Sequence, residues 1–138
     1  MDGLVLDCGG VLVGPGSDGE GLGAIIAEVR SLGVRTAVLS NDPGGPGADW
    51  LRGLGGGRLV DEVLLSGDVG LEKPDPRIYR LAARRLGLAE SDCVFVDDLA
   101  VNVRGAVAAG MVAVHHVAPA RTAEELRVLF DLAPGDGN

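Results

Sequence analysis

Apolar runs and helical spacings alternate along the chain. Continuous apolar stretches predict strands at Gly3–Asp7, Arg35–Ser40, Glu62–Leu65, Cys93–Asp97 and Met111–His115. Between them, apolar residues return at helical spacing over Leu22–Leu32, Ala48–Leu54, Pro76–Leu86 and Val101–Ala109, and Gly33, Gly87 and Gly110 supply stop signals for three of the four. A last helix is expected from about Ala123 to Leu132, opened by Thr122 and Glu125 at capping-box spacing and followed by Pro134. Strands without polar alternation, separated by helices, imply a parallel sheet covered on both faces. The expected class is α/β: an open, doubly wound, Rossmann-like sheet of about five strands. Residues 1–134 form one domain in this reading, and residues 135–138 a frayed tail.

In open parallel sheets ligands bind beyond the carboxyl ends of the strands, so the residues there are read first. Strand one ends in Asp7, strand two in Ser40 and Asn41, and strand four in Asp97 and Asp98. Glycine is concentrated over Gly9–Gly23 and Gly44–Gly57, which read as loops on that rim.

Composition narrows the partners. A net charge of −8 disfavours nucleic acid and anionic membranes. No apolar run approaches the roughly 18 residues of a membrane span, and the first residues lack the basic stretch of a signal peptide, so a soluble cytoplasmic protein is expected. Cys8 and Cys93 are too few for a disulfide framework and have no metal-ligand partner at short spacing. Of 12 basic residues only Lys73 is lysine, which suggests a position needing a compact ammonium rather than a forked guanidinium.

Four segments carry the chemistry: Leu4-Val5-Leu6-Asp7-Cys8-Gly9-Gly10-Val11-Leu12, Val38-Leu39-Ser40-Asn41, Glu72-Lys73-Pro74-Asp75-Pro76-Arg77-Ile78-Tyr79, and Val94-Phe95-Val96-Asp97-Asp98 with Asn102 four residues on. In this order and spacing they resemble the four motifs of the haloacid dehalogenase superfamily of phosphatases and related hydrolases, from about Leu4 to Ala109. The resemblance implies a Mg²⁺-dependent phosphatase in which Asp7 is the nucleophile and forms an aspartyl-phosphate. It also implies that Asp7, Asp98 and the carbonyl of Gly9 hold Mg²⁺, with Asp98 favoured over Asp97 as direct ligand. Lys73 would pair with the nucleophile and the phosphate. Ser40 and the backbone N–H groups near Cys8, Gly9, Gly10 and Asn41 would complete the phosphate cradle. Asn102 would act through water or cap the following helix.

Two departures from that pattern stand out. The family's phosphatases usually carry a second aspartate two residues after the nucleophile, which protonates the leaving group; here that position is Gly9. A positioned acid contributes about 10² to 10⁴-fold in rate, so acid catalysis is expected to be weakened. A binding-only relative that holds a phosphorylated ligand or partner protein is the alternative, and a metal-free dehalogenase a third branch. Secondly, no segment is long enough for the cap domain that covers small substrates in this family. The rim is expected to be open, covered at most by a glycine-rich flap from Gly10 to Gly23. A phosphorylated small molecule or macromolecule could then cover it, or a homodimer partner.

Three other signals lead elsewhere. Gly14-Pro15-Gly16-Ser17-Asp18-Gly19 matches G-x-G-x-x-G, with Asp42 at a suitable distance, but Gly14 stands seven positions after Asp7 instead of at the turn ending strand one. Cys8 lacks the arginine six residues on that a thiol phosphatase needs, because that position is Gly14. His115 and His116 are adjacent on a strand, point to opposite faces, and read as structural.

Overall fold

The computed structural model describes residues 1–14, 16–17 and 19–133. Five strands, β1 (Gly3–Leu6), β2 (Arg35–Ser40), β3 (Glu62–Leu65), β4 (Cys93–Asp97) and β5 (Val112–His115), form one sheet. Its order is β3-β2-β1-β4-β5, and every pair is parallel. The helices are α1 (Gly19–Ser31), α2 (Asp49–Arg52), α3 (Ser66–Val69), α4 (Pro76–Arg85), α5 (Ala100–Ala108) and α6 (Pro119–Leu129). No second, cap-like domain is evident among the described residues. No described helix is long and apolar enough to cross a membrane.

Strand alternation divides the core into two layers. Leu4, Leu6, Val38, Val94 and Val96 face α1 and α6, meeting Leu22, Ile25, Ile26, Val29, Leu126 and Phe130. Val5, Ala37, Leu39 and Phe95 face the other way, onto Ile78, Tyr79, Ala82 and Ala83 of α4 and Ala106 of α5. Both faces of β1 and β4 are therefore apolar and fully buried, which is why these strands read as unbroken hydrophobic runs.

The chain moves outward from β1 through β2 to β3, then crosses back to β4 on the other side of β1. This reversal places the ends of β1 and β4 at the topological switch point, where a crevice opens between diverging connections. Asp7 and Asp97 stand at those two ends.

Most predicted elements are present, with shifted ends. Gly33, Gly87 and Gly110 all have positive φ just past α1, α4 and α5, as their stop role requires. The last helix is displaced: it begins at Pro119, behind Ala118, so Thr122 lies inside it and does not cap it. Proline at the first helical position supplied the start signal that the Thr122–Glu125 spacing imitated. Helix α1 begins earlier than expected, taking in Gly19 and Gly21, which were read as loop, and the short α3 has no counterpart among the expected elements. The predicted tail 135–138 and Pro134 lie outside the described residues.

Asp61, just before β3, ties the start of β2 to α1. Its carboxylate accepts from the Thr36 amide (2.9 Å) and hydroxyl (3.1 Å) and from Arg30 (3.3 Å). Burial pushes its carboxyl up, but the Thr36 bonds and Arg30 outweigh that and hold it below the ordinary value of 3.8. A depressed native pKa stabilises the fold above the unfolded value, and that contribution is lost as pH falls through the native one. Asp61→Ala, which strands the buried Thr36 groups, should cost about 1–3 kcal/mol at neutral pH. Urea unfolding should show this gap narrowing in acid; a gap of unchanged size there would refute the assignment.

Candidate functional site

Lys73 lies between α3 and α4, and its sequence surroundings fix where it points. Asp75 caps α4 by accepting from the Arg77 amide (2.9 Å), and Pro76 occupies the first turn, so the helix starts abruptly behind Lys73. Asn41, just past β2, clamps the Lys73 backbone from the other side. Its Nδ2 donates to the Lys73 carbonyl (3.0 Å), and its Oδ1 accepts from the Lys73 amide (2.8 Å).

The ammonium so positioned is buried, with its side chain 1% exposed. Its three protons have three acceptors, each at 2.9 Å: Asp7 Oδ1, Asp97 Oδ2 and the carbonyl of Leu39. The group also lies over the face of Phe95, 5.5 Å from the ring centre, and Tyr79 packs edge-on against that ring. One lysine thus joins the ends of β1, β2 and β4.

The four carboxyl-bearing and amide residues around it differ in what they have left to offer. Asp97 is fully buried and committed. Its Oδ2 accepts from Lys73 and from Asn102 Nδ2 (3.1 Å), and its Oδ1 accepts from the Leu99 amide (2.9 Å). Asn102 does not cap α5, as one reading of the sequence had it; it sits inside that helix, buried, with its carbonyl accepting from the Tyr79 hydroxyl at 2.7 Å. Asp98 is half-buried, and its carboxylate accepts no hydrogen bond from the described residues. Asp7 is mostly buried. Burial raises its carboxyl to about 6; Lys73 pulls it down and the neighbouring Asp97 pushes it up.

One oxygen from each of Asp7, Asp97 and Asp98 lies within 4.8 Å of the others. Three carboxylates against one ammonium leave a net formal charge of −2 when all are ionised, which suits a hard dication with oxygen ligands.

The loop after β1 completes the basin. Cys8 is buried, and its carbonyl accepts from the amides of Val11, Leu12 and Val13, folding the chain into a tight turn. Gly10 adopts φ +79°, which strains any side chain, and a Cβ there would crowd the Asp98 carboxylate, so glycine suits the position. Gly9 differs: φ is not positive, and a Cβ would meet nothing within 4 Å. The Ser40 hydroxyl, half-exposed at the end of β2, has no partner among the described residues.

The structure therefore brings Asp7, Cys8, Gly9, Gly10, Ser40, Asn41, Lys73, Asp97 and Asp98 to one rim. What the sequence reading missed is the division of labour: Asn41 spends its side chain on the Lys73 backbone, Leu39 contributes a carbonyl, and Gly105 allows α5 to approach. A Cβ on Gly105 would lie 2.7 Å from Pro74 Cβ and 2.9 Å from the Tyr79 hydroxyl. The Asn41 clamp had a legible trace, since an amide directly following a strand can bond two backbone groups at once. Gly105 had none.

Comparisons with known proteins bear on the fold and the family. A crystal structure of an uncharacterized protein from Corynebacterium glutamicum is 44% identical, covers 98% of both chains and superposes with a TM-score of 0.93. A phosphoserine phosphatase from Thermus thermophilus is 39% identical over 92 residues, 66% of this chain and 37% of that protein. A glyceraldehyde 3-phosphate phosphatase from Methanopyrus kandleri is 36% identical over 90 residues, 64% of this chain and 39% of that protein. The chain spans about two-fifths of the length of these curated relatives. Residues 19–110 match the haloacid dehalogenase-like hydrolase family model. That match covers most of the sheet and its crossovers, and the chain belongs to the haloacid dehalogenase-like hydrolases.

Proposed function

We propose that this protein is a Mg²⁺-dependent phosphatase acting on phosphomonoesters through an aspartyl-phosphate on Asp7. The observation that carries the reading is the convergence of Asp7, Asp97 and Asp98 around the buried Lys73 at the switch point of the sheet. The phosphatase relatives support the same chemistry, as does the strand-end position of every residue involved.

Mg²⁺ would be held by Asp7, Asp98 and the Gly9 carbonyl. Asp97 has its oxygens bound by Lys73, Asn102 and Leu99, and so acts by orienting the lysine. When bound, the ion supplies charge neutralisation on the phosphoryl oxygens and brings them up to an anionic nucleophile. Lys73 fixes Asp7 through Oδ1 and offsets part of the repulsion between carboxylate and phosphate. An oxygen of Asp7 attacks phosphorus as the ester P–O bond breaks, and the leaving group departs as its anion, to be protonated by water. Water then attacks the phosphorus, breaks its bond to Asp7 and releases inorganic phosphate. The Ser40 hydroxyl and the amides after Asp7 and Ser40 bind the non-bridging oxygens.

Gly9 leaves the departing alcohol without a side-chain proton donor. This favours aryl and acyl phosphates, whose leaving groups need no proton, over sugar and alkyl phosphates. It also supports a second reading, in which the site binds a phosphorylated ligand or partner with little turnover. Thermal shift with Mg²⁺ and fluoroberyllate, set beside turnover of p-nitrophenyl phosphate, separates the two: both respond in an enzyme, and only the shift appears in a binding protein.

Asp7→Asn should abolish Mg²⁺-dependent hydrolysis of p-nitrophenyl phosphate while the protein remains folded by circular dichroism; undiminished turnover would remove Asp7 as nucleophile. Lys73→Met leaves two carboxylates without their buried counter-charge and should cost about 3–5 kcal/mol in urea unfolding as well as activity. Gly9→Asp tests the missing acid directly, because the backbone and the space at position 9 admit a side chain. It should raise kcat on alkyl phosphates by roughly 10² to 10⁴-fold and change that on p-nitrophenyl phosphate little. An unaltered ratio between the two substrates would contradict the proposed cause of weak acid catalysis.

A further inference from the structure

We infer that His116 is a positioning residue: its imidazole ties the glycine-rich loop after β1 to α6 and so keeps that loop seated beside the carboxylate basin. The inference rests on the phosphatase reading for its consequence, though the tether itself is a matter of geometry.

Among the described residues, the loop from Gly10 to Ser17 is held locally, by the Cys8 carbonyl at its start and by Ser17, whose amide and hydroxyl donate to the Gly14 carbonyl at 3.2 and 2.6 Å. Val11 and Leu12 are buried and anchor its base, but Gly10, Gly14 and Gly16 carry no side chains and all have positive φ. Ordering such residues costs more chain entropy than ordering any others, so a loop of this composition needs a fixed point at its far side. His116 provides one. It follows β5, is 4% exposed, and its Nε2 donates to the carbonyl of Gly16 across 100 residues of sequence at 2.7 Å. Because a carbonyl can only accept, the proton sits on Nε2. In the neutral ring Nδ1 then accepts from the Thr122 hydroxyl of α6, also at 2.7 Å, and Thr122 is buried. The ring is thereby held at both nitrogens, and its backbone amide donates to the Asp97 carbonyl at 2.8 Å.

Gly16 lies against the part of the loop that matters. A Cβ built on it would be 3.9 Å from the Gly10 carbonyl, and Gly10 in turn abuts the Asp98 carboxylate. Hydrogen bonds thus run from Thr122 of α6 through His116 to Gly16, which lies close to Gly10 and, through it, to the carboxylate rim. The adjacent His115 adds a parallel anchor, its Nε2 donating to the Asp98 carbonyl at 3.0 Å. Two consecutive residues at the end of β5 thus hold the two loops that border the basin. Thr122, which the sequence offers as a helix cap, is used instead to orient the ring.

Hydrogen exchange by mass spectrometry on the full chain tests the tether without reference to activity. His116→Leu should speed exchange of the amides over residues 10–17 roughly tenfold, about the factor one net buried hydrogen bond contributes, while β1 and β4 stay protected. His116→Gln should restore protection, because its carboxamide N–H reaches toward the same carbonyl. Thr122→Val, which frees the ring while keeping the buried volume, should give an intermediate rate and decides the question if His116→Leu does not fold. In turnover of p-nitrophenyl phosphate with Mg²⁺, His116→Leu should lower kcat/KM and His116→Gln should recover it. Unchanged exchange in the loop overturns the tether, and a loosened loop with undiminished kcat/KM overturns the positioning role. Absence of both turnover and a Mg²⁺–fluoroberyllate thermal shift in the unaltered protein would count against the phosphatase reading alone, leaving the exchange result to judge the tether.

Discussion

A lysine ammonium buried among two carboxylates and a carbonyl is costly to assemble, and the rest of the site follows from how this fold meets that cost. Taking an ammonium out of water is unfavourable by several kcal/mol unless every proton finds an acceptor in good geometry. Lys73 has three protons and three acceptors at equal distance, each at the end of a different central strand. The requirement reaches outward. Asp97 can serve the lysine only because Asn102 and the Leu99 amide hold it in place, and Asn102 is itself placed in α5, where its carbonyl takes the Tyr79 hydroxyl. The ring system of Tyr79 and Phe95 closes the low-dielectric side of the pocket.

The same arrangement sets the character of Asp7. A carboxylate this buried is pushed toward its protonated form, and the lysine alone does not undo the shift, because Asp97 shares that ammonium. A dication between Asp7 and Asp98 would supply the missing positive charge. On the proposed reading, metal binding would favour the ionised form of Asp7, and the formal charge of −2 in the basin would favour a dication.

Much of this was legible in the chain because the chemistry stands where apolar runs stop. A strand buried on both faces can end only where polar groups are tolerated, so Asp7, Ser40, Asn41, Asp97 and Asp98 announced themselves as a rim before any coordinates. The isolated lysine was a further signal, and the ion pairs it makes give that isolation a physical reason. What periodicity could not convey is which member of an adjacent pair does what. Asp97 and Asp98 look alike in sequence, yet strand geometry sends the first inward to the lysine and leaves the second facing the loop. Thr122 was misread for a related reason. Its spacing to Glu125 satisfies a local capping rule, but Pro119 had already begun the helix, and the hydroxyl serves a histidine six residues upstream. Local patterns specify elements; contacts between segments distant in sequence specify roles.

The two glycines after Asp7 show how far a single residue type can differ in meaning. Gly10 is constrained: its positive φ strains any side chain, and a Cβ would crowd the Asp98 carboxylate. Gly9 is under neither constraint, since its backbone is ordinary and the space beside it is empty. Its lack of a side chain is therefore not imposed by either constraint. On the proposed phosphatase reading, a site that keeps its lysine, its carboxylates and Gly10 but has no acid at position 9 would favour phosphoryl groups whose partner leaves without help. The fold accounts for every fixed part of the basin. Position 9, free of both constraints, is a place where a side chain can be added without disturbing the rest.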